Sequence, residues 1–448
     1  MIIRTTTAAI GVAAVFLCMP TLAMADDIVS VAGRTMGTTY SVKVFRPSLS
    51  RDEIAMAVDA ELRSVNAEMS TYLADSEIRR FNESESTEWF DVSPGFAEVV
   101  ARSIEISAAT EGAFDVTIGP LIDLWGFGSR ERSGRPPSSE AIASARQAIG
   151  WNHLDARIDP PAIRKAIPQL RIDLSSIAKG HGVDRVRDRL LDAGEANVFV
   201  EVGGEVAIAG GKDGVPWKVG IQAPDVAGQS LAATIALNDA DGWSAMATSG
   251  DYRNYFEADG QRFSHTIDPR GGRPVRHDLA SVTVLAGDCM TADAWATALS
   301  VLGGDEGIRV AEREGLATYM IRRDGESFRV DSSGGVADHV NRLPTFPATL
   351  VSARAEASTV PVTAQTQSGL VPVFVLTAIL LGLLVTAMAV GVMFGRRSIS
   401  GSCGGIAGKE NEDGELQCSL CSNPAEGCRE LREKMRQLEG ERVSASQN

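Results

Sequence analysis

Hydrophobic and polar positions alternate with a period of two along Tyr40–Val44, Val198–Val202, Trp217–Ile221 and Ser281–Val284, which predicts strands. Over Arg51–Met69, Gly95–Thr110, Ser139–Ile149, Ala178–Ala193 and Thr291–Leu302 the apolar positions recur every three to four residues, which predicts helices. The order of these elements is not a clean strand–helix–strand alternation, so the pattern favours an α+β fold over a doubly wound sheet. No internal repeat is present. The patterned region, residues 26–345, reads as one mixed body.

Two stretches are apolar without periodicity. Ala8–Leu17 follows Arg4 and leads to Ala23-Met24-Ala25, a small-residue cleavage pattern, so residues 1–25 read as a signal peptide. A lipoprotein signal ending at Cys18 is the rival reading, and the bulky Leu17 stands against it. Leu370–Phe394 carries no charge over about 25 residues, enough at ~1.5 Å per residue to cross a ~30 Å hydrocarbon core. A buried core helix of that length would show a polar face. Arg396 and Arg397 follow directly and assign that end to the cytoplasm. The expected layout is a periplasmic body, a linker at 346–369 rich in small and polar residues, a transmembrane helix at 370–394 in a bacterial inner membrane, and a cytoplasmic tail at 395–448. Within the tail, Arg429–Arg442 is densely charged and reads as a solvated helix.

A net charge of −15 argues against wrapping nucleic acid. Cysteine placement adds more. Of the six, Cys18 leaves with the signal and Cys289 stands alone in the body, which leaves the body no internal disulfide. Cys403, Cys418, Cys421 and Cys428 lie beyond the span, on the expected reducing side, where thiols point to metal.

Three segments carry candidate chemistry. In Asp173-Leu174-Ser175-Ser176-Ile177-Ala178-Lys179-Gly180-His181-Gly182, Asp173 reads as a helix N-cap and the helix start as an anion site, with Lys179 adding charge. Taken alone, the run reads equally as a capped helix with a surface lysine. Asp293 and Thr297 are four apart and share a helix face, offering hard oxygens that suit magnesium. The plainer reading is a Thr291 cap with Asp293 stabilising the helix start. His265 enters an Asp268-Pro269-Arg270-Gly271 turn as a general base, a ligand clamp or a structural histidine. Gly33–Tyr40 reads as a polar loop feeding a strand, and Tyr72 offers a ring for stacking.

These segments, with Met36-Gly37-Thr38, Met69–Tyr72, Ala113–Thr117, Glu201–Glu205 and Thr248–Tyr252, fall in an order that resembles the ApbE family, the FAD:protein FMN transferases. The resemblance covers about residues 30–340. It implies that magnesium sits on the FAD pyrophosphate, that a Thr or Ser hydroxyl of a target protein attacks the FMN phosphorus, and that AMP leaves. It also implies site residues. Asp293, Thr297 and an oxygen of Ser176 would hold the metal. Met36, Tyr72, Ala113, Phe114, Asp115, Asp173, Lys179 and Ile267 would contact FAD. His265, with Asp293, would serve catalysis, His265 by assisting deprotonation of the incoming hydroxyl, and Asp251 and Arg253 would support the site or contact the target. Many members carry Thr where this chain has Gly271.

The tail, from Ala387 through Ser402-Cys403-Gly404-Gly405, resembles NqrM, a maturation factor of the sodium-translocating NADH:quinone reductase. That resemblance implies iron on Cys403, Cys418, Cys421 and Cys428, and reductase subunits as the flavin acceptors. Three rival functions stay open: a periplasmic FAD-binding protein, an FAD pyrophosphatase without protein transfer, and an assembly scaffold for the reductase whose only chemistry is metal binding.

Overall fold

The computed structural model describes residues 27–128, 135–224, 230–251, 255–258, 261–344, 346 and 348–350, together with 409–410 and 416–417. The expected signal peptide, the span at 370–394 and the four tail cysteines lie outside the described residues. Among the described residues no helix is long and apolar enough to cross a membrane. In the C-terminal unit, Lys409–Glu410 pairs antiparallel with Leu416–Gln417.

The body is organised by a nine-stranded sheet whose spatial order is the chain order. Its strands are β1 (Ile28–Thr35), β2 (Thr38–Phe45), β3 (Val198–Val202), β4 (Glu205–Ala209), β5 (Ala245–Gly250), β6 (Leu279–Ala286), β7 (Ala317–Asp324), β8 (Ser327–Ser333) and β9 (Ala348–Leu350). Neighbours are antiparallel except β8 and β9, which run parallel. This is the α+β arrangement expected. β9 lies beyond the boundary expected at 345, and Phe346 stacks on Phe328 with ring centroids 5.2 Å apart, so the body continues into the expected linker.

Between β2 and β3 the chain builds α1 (Arg51–Met69), α2 (Glu77–Glu83), α3 (Pro94–Ala109), α4 (Gly119–Trp125), α5 (Ser139–Arg146) and α6 (Ala178–Asp192). α7 (Cys289–Arg313) joins β6 to β7 and is broken at Gly303, where φ is 80°, so its regular first part ends where the periodicity predicted. α1 starts at a capping box, with Ser50 accepting from the Glu53 amide and Glu53 returning to the Ser50 amide.

The two faces of the sheet sort by the period of two. Val206, Ile208, Met246, Leu285, Tyr319 and Ile321 pack against a three-stranded sheet made of Trp217–Gln222, Leu231–Leu237 and Val340–Arg342. Ala207, Ala245, Ala247, Val282, Val284 and Met320 belong to the cores on the helical face. Each buried aliphatic side chain contributes about 1.5–3 kcal/mol of transfer free energy. The small side chains on the helical side let α6 and α7 sit close to β4 and β5, and there the site forms.

Candidate active site

α6 and α7 cross at Gly180. A Cβ at Gly180 would collide with the Cys289 carbonyl and the Asp293 side chain, so the approach requires glycine. The contact lets the Gly180 amide donate to Asp293 Oδ2 at 3.0 Å. Four residues further along α6, Asp184 accepts from the amides of Cys289 and Met290 at 2.9 and 2.8 Å and so fastens the start of α7 to α6. Asp288 is the cap of α7, accepting from the Thr291 amide at 2.7 Å. Asp293 is therefore neither a cap nor a surface charge. It is 2% exposed and turned into the body, and Thr297 lies on the same helix face, as the spacing predicted.

Lys179 bridges two carboxylates. Its Nζ lies 3.3 Å from both oxygens of Asp293 and 3.1 Å from Glu205 Oε1. Burial opposes the ammonium charge, but Asp293 and Glu205 outweigh it and hold the lysine above its ordinary pKa. Glu205 is 4% exposed, and burial pushes its carboxyl up to about 7 against the pull of Lys179. Its Oε2 has no hydrogen-bond partner. Thr297 Oγ1 lies 3.3 Å from Ser249 Oγ. The Asp293 carboxylate and the hydroxyl of Thr297 form a hard-oxygen donor set that fits a divalent cation such as magnesium.

These groups line the floor of a cleft of about 1200 Å³. Twelve of the candidates border it: Met36, Tyr72, Ala113, Phe114, Asp115, Asp173, Ser176, Lys179, His265, Ile267, Asp293 and Thr297. Met36 sits with Gly37 at the tip of the β1–β2 hairpin, both with positive φ, where a polar loop was expected. Its methyl group packs where a Cβ on Gly182 would otherwise stand. Tyr72 is 72% exposed at the lip, and its turn is fixed by Ser76 Oγ donating to the carbonyls of Ser70 and Leu73. Ile267 is buried, and the edge of the Phe127 ring meets His265 at 6.4 Å between centroids.

One candidate differs from the expectation. Asp173 does not cap α6; the cap position is Ile177, and no side chain bonds there. Asp173 instead accepts from the Ser175 amide at 2.9 Å, because an aspartate closes a short local turn more readily than it reaches a helix start five residues on. The anion received by the Gly180 amide of α6 is Asp293. The Asp115 carboxylate is occupied as a brace: it accepts from Thr117 N and Oγ1 and from Trp151 N. Outside the cleft lining, Asp251 pairs with Arg323 at 3.0 Å, and Arg253 is not among the described residues.

Sequence reasoning gave no role to Glu205 or Ser249. A signal for Glu205 existed: it opens a strand, Glu205–Ala209, in which every residue is buried and the others are apolar. A charge there needs a partner in the fold.

The ApbE family model matches residues 36–320. An FAD:protein FMN transferase of Vibrio cholerae is 45% identical over 304 residues, covering 67% of this chain and 89% of that protein. One of Haemophilus influenzae is 41% identical over 333 residues, covering 72% and 95%. The solved flavin transferase ApbE from Vibrio cholerae superposes with a TM-score of 0.63 at 41% identity, covering 70% of this chain and 99% of that one. The Pseudomonas stutzeri flavinyl transferase ApbE in its apo form also gives 0.63, at 39% identity, covering 70% and 96%. The chain thus belongs to the ApbE family and acts as an FAD:protein FMN transferase, with FAD as substrate and a protein as flavin acceptor.

Proposed function

We propose that transfer depends on magnesium, which Asp293, Thr297 and an oxygen of Ser176 would hold, and that the FAD pyrophosphate binds in the same cleft near Lys179. When bound, the metal neutralises phosphoryl charge and stabilises the departing phosphate. Lys179 adds a positive charge to the same oxygens. Tyr72 stacks on a flat ring of FAD at the cleft lip, and Met36 and Ile267 pack against the cofactor. Ala113 and Phe114 supply cleft wall, and Asp115 holds that wall in place through Thr117 and Trp151. His265 accepts the proton of the acceptor Thr or Ser hydroxyl. The hydroxyl oxygen forms a bond to the FMN phosphorus, the bond from that phosphorus to the bridging oxygen breaks, and AMP leaves carrying that oxygen.

The observation that carries this reading is the convergence of all these residues on one cleft, with a buried carboxylate and a lysine at its floor. The test uses the chain with FAD, magnesium and a purified protein domain bearing an acceptor Thr. A fluorescent band that survives denaturation is expected, and chelation of magnesium should remove it. Free FMN and AMP without a labelled band would instead establish FAD hydrolysis.

The same proposal extends to place and client. The body acts in the periplasm, tethered by the span at 370–394, and flavinylates subunits of the sodium-translocating NADH:quinone reductase. The tail cysteines Cys403, Cys418, Cys421 and Cys428 hold iron for that enzyme on the cytoplasmic side. The supporting features are the uncharged run followed by Arg396-Arg397 and the spacing of the four thiols. Anaerobic iron binding by the full chain, lost in Cys403→Ser, is the expected result. Unchanged iron binding in that variant would remove the tail from the proposal.

A further inference from the structure

We propose that Glu205 takes Lys179 over from Asp293 when a divalent cation binds, and that this exchange sets the affinity of the cation site. The inference rests on the reading of Asp293 as a metal ligand.

The argument starts from donors and acceptors. A lysine ammonium has three N–H donors. Here Nζ faces three oxygens: both of Asp293, at 3.3 Å, and Glu205 Oε1, at 3.1 Å. A fourth oxygen, Glu205 Oε2, is buried with no partner. Leaving a desolvated carboxylate oxygen unbonded is costly, so a donor or cation is expected to reach it in some state of the enzyme. A cation on Asp293 competes directly with Lys179 for the same two oxygens. Losing them, the ammonium, on a side chain only 27% exposed, needs another acceptor. Glu205 Oε2 belongs to a carboxylate that the ammonium already touches.

Glu205 itself is poorly placed to move. It opens β4, every residue of which is buried, and it follows the Gly203–Gly204 turn, in which both residues have positive φ. Lys179 ends a flexible four-carbon stem and is the mobile member. The exchange keeps a positive charge beside the pyrophosphate while freeing Asp293. Without Glu205, Lys179 would stay on Asp293 and oppose the cation.

Manganese serves as the probe, with free Mn²⁺ counted by electron paramagnetic resonance in the absence of FAD. Wild type should bind Mn²⁺, and Asp293→Ala should abolish this. Glu205→Gln should weaken binding about tenfold or more. In a Lys179→Met background the same substitution should change it less than about threefold, because no lysine is left to hold. An equal loss in both backgrounds would overturn the exchange and make Glu205 a direct ligand or a simple source of negative charge. Wild-type affinity in Glu205→Gln would overturn it as well. Mn²⁺ binding that survives Asp293→Ala would overturn the metal assignment beneath it. A measurement free of folding effects uses wild-type crystals with and without magnesium. Lys179 Nζ should leave Asp293 for both oxygens of Glu205, and a lysine still on Asp293 beside a bound ion would overturn the proposal.

Discussion

Two clusters in this body each centre on a cation among carboxylates, and they are built oppositely. Arg322 donates to Asp278 at 2.7 Å, to Asp305 at 2.6 Å and to Asp331 at 3.3 Å, while Arg329 stands 3.7 Å from Asp278. Arg322 is 6% exposed, but Asp278 and Asp305 reach solvent, so the cluster is a buried fork with wet partners. Lys179 has the reverse surroundings. Its partners Asp293 and Glu205 are both almost wholly buried, its contacts lie at 3.1–3.3 Å, and one oxygen of Glu205 is unpaired. A guanidinium fork fixes geometry; an ammonium is a point charge that exchanges partners. The Arg322 cluster therefore reads as a staple between the α7 break, β7 and β8, and the Lys179 cluster as a site that changes during turnover.

The comparison breaks most visibly at Asp293. Asp293→Ala removes the shared acceptor of Lys179 and Gly180, and flavin labelling of an acceptor protein should fall at least ~10³-fold. The variant should stay folded, since Lys179 keeps Glu205. Labelling within tenfold of wild type would show that the lysine cluster is no more than a staple.

Arg322→Met makes the reverse test. It strips Asp331, which is 9% exposed, of a buried partner and should cost about 2–3 kcal/mol in urea unfolding, less than for a fully buried pair because two partners are wet. Labelling per folded molecule should be unchanged. Arg322→Lys should recover little, because an ammonium lacks the fork that reaches the separate carboxylates. A variant that is stable yet catalytically impaired would dissolve the distinction between the clusters.

What was legible in the sequence follows the same division. Segments held by their own periodicity, such as Arg51–Met69 and Val198–Val202, appear with the limits their patterns predicted. Asp293 and Thr297 were placed on one face because helix geometry alone decides it. Groups whose role depends on distant chain were not legible. Glu205 acquires its meaning only when β4 is laid beside α6 and α7. The strand Trp217–Gln222 pairs with Leu231–Leu237, which in turn pairs with Val340–Arg342 across about a hundred residues. Asp173 failed as a cap for a local reason: the turn at Ser175 competes for its carboxylate, and the helix begins later than the aspartate implies.

A third cluster sharpens the contrast, because it sets an imidazole beside a cation and a carboxylate. His181 on α6 is 5% exposed, and its Nε2 and Glu68 Oε2, both unpartnered, flank Gly95 together with Arg185. Burial, aided by the Arg185 charge, lowers the histidine pKa from 6.5 to about 4. The unfolded chain therefore binds a proton between those values that the fold refuses. His181 contributes stability that is present above pH 6.5 and lost as pH falls toward 4. Between pH 7 and pH 5 that loss amounts to about 2 kcal/mol. Asp184 and Glu205, whose carboxyls burial raises to about 7, act in the opposite direction over the same window, and Glu68 is raised as well. The wild-type profile alone thus hides the effect. The difference between wild type and His181→Gln isolates it: unfolding free energies measured at pH 7 and pH 5 should diverge by about 2 kcal/mol, the variant losing less on acidification. Parallel profiles would mean that His181 takes a proton inside the fold, and that the polar trio beneath Gly95 is hydrated and works like the exposed rim of the Arg322 cluster.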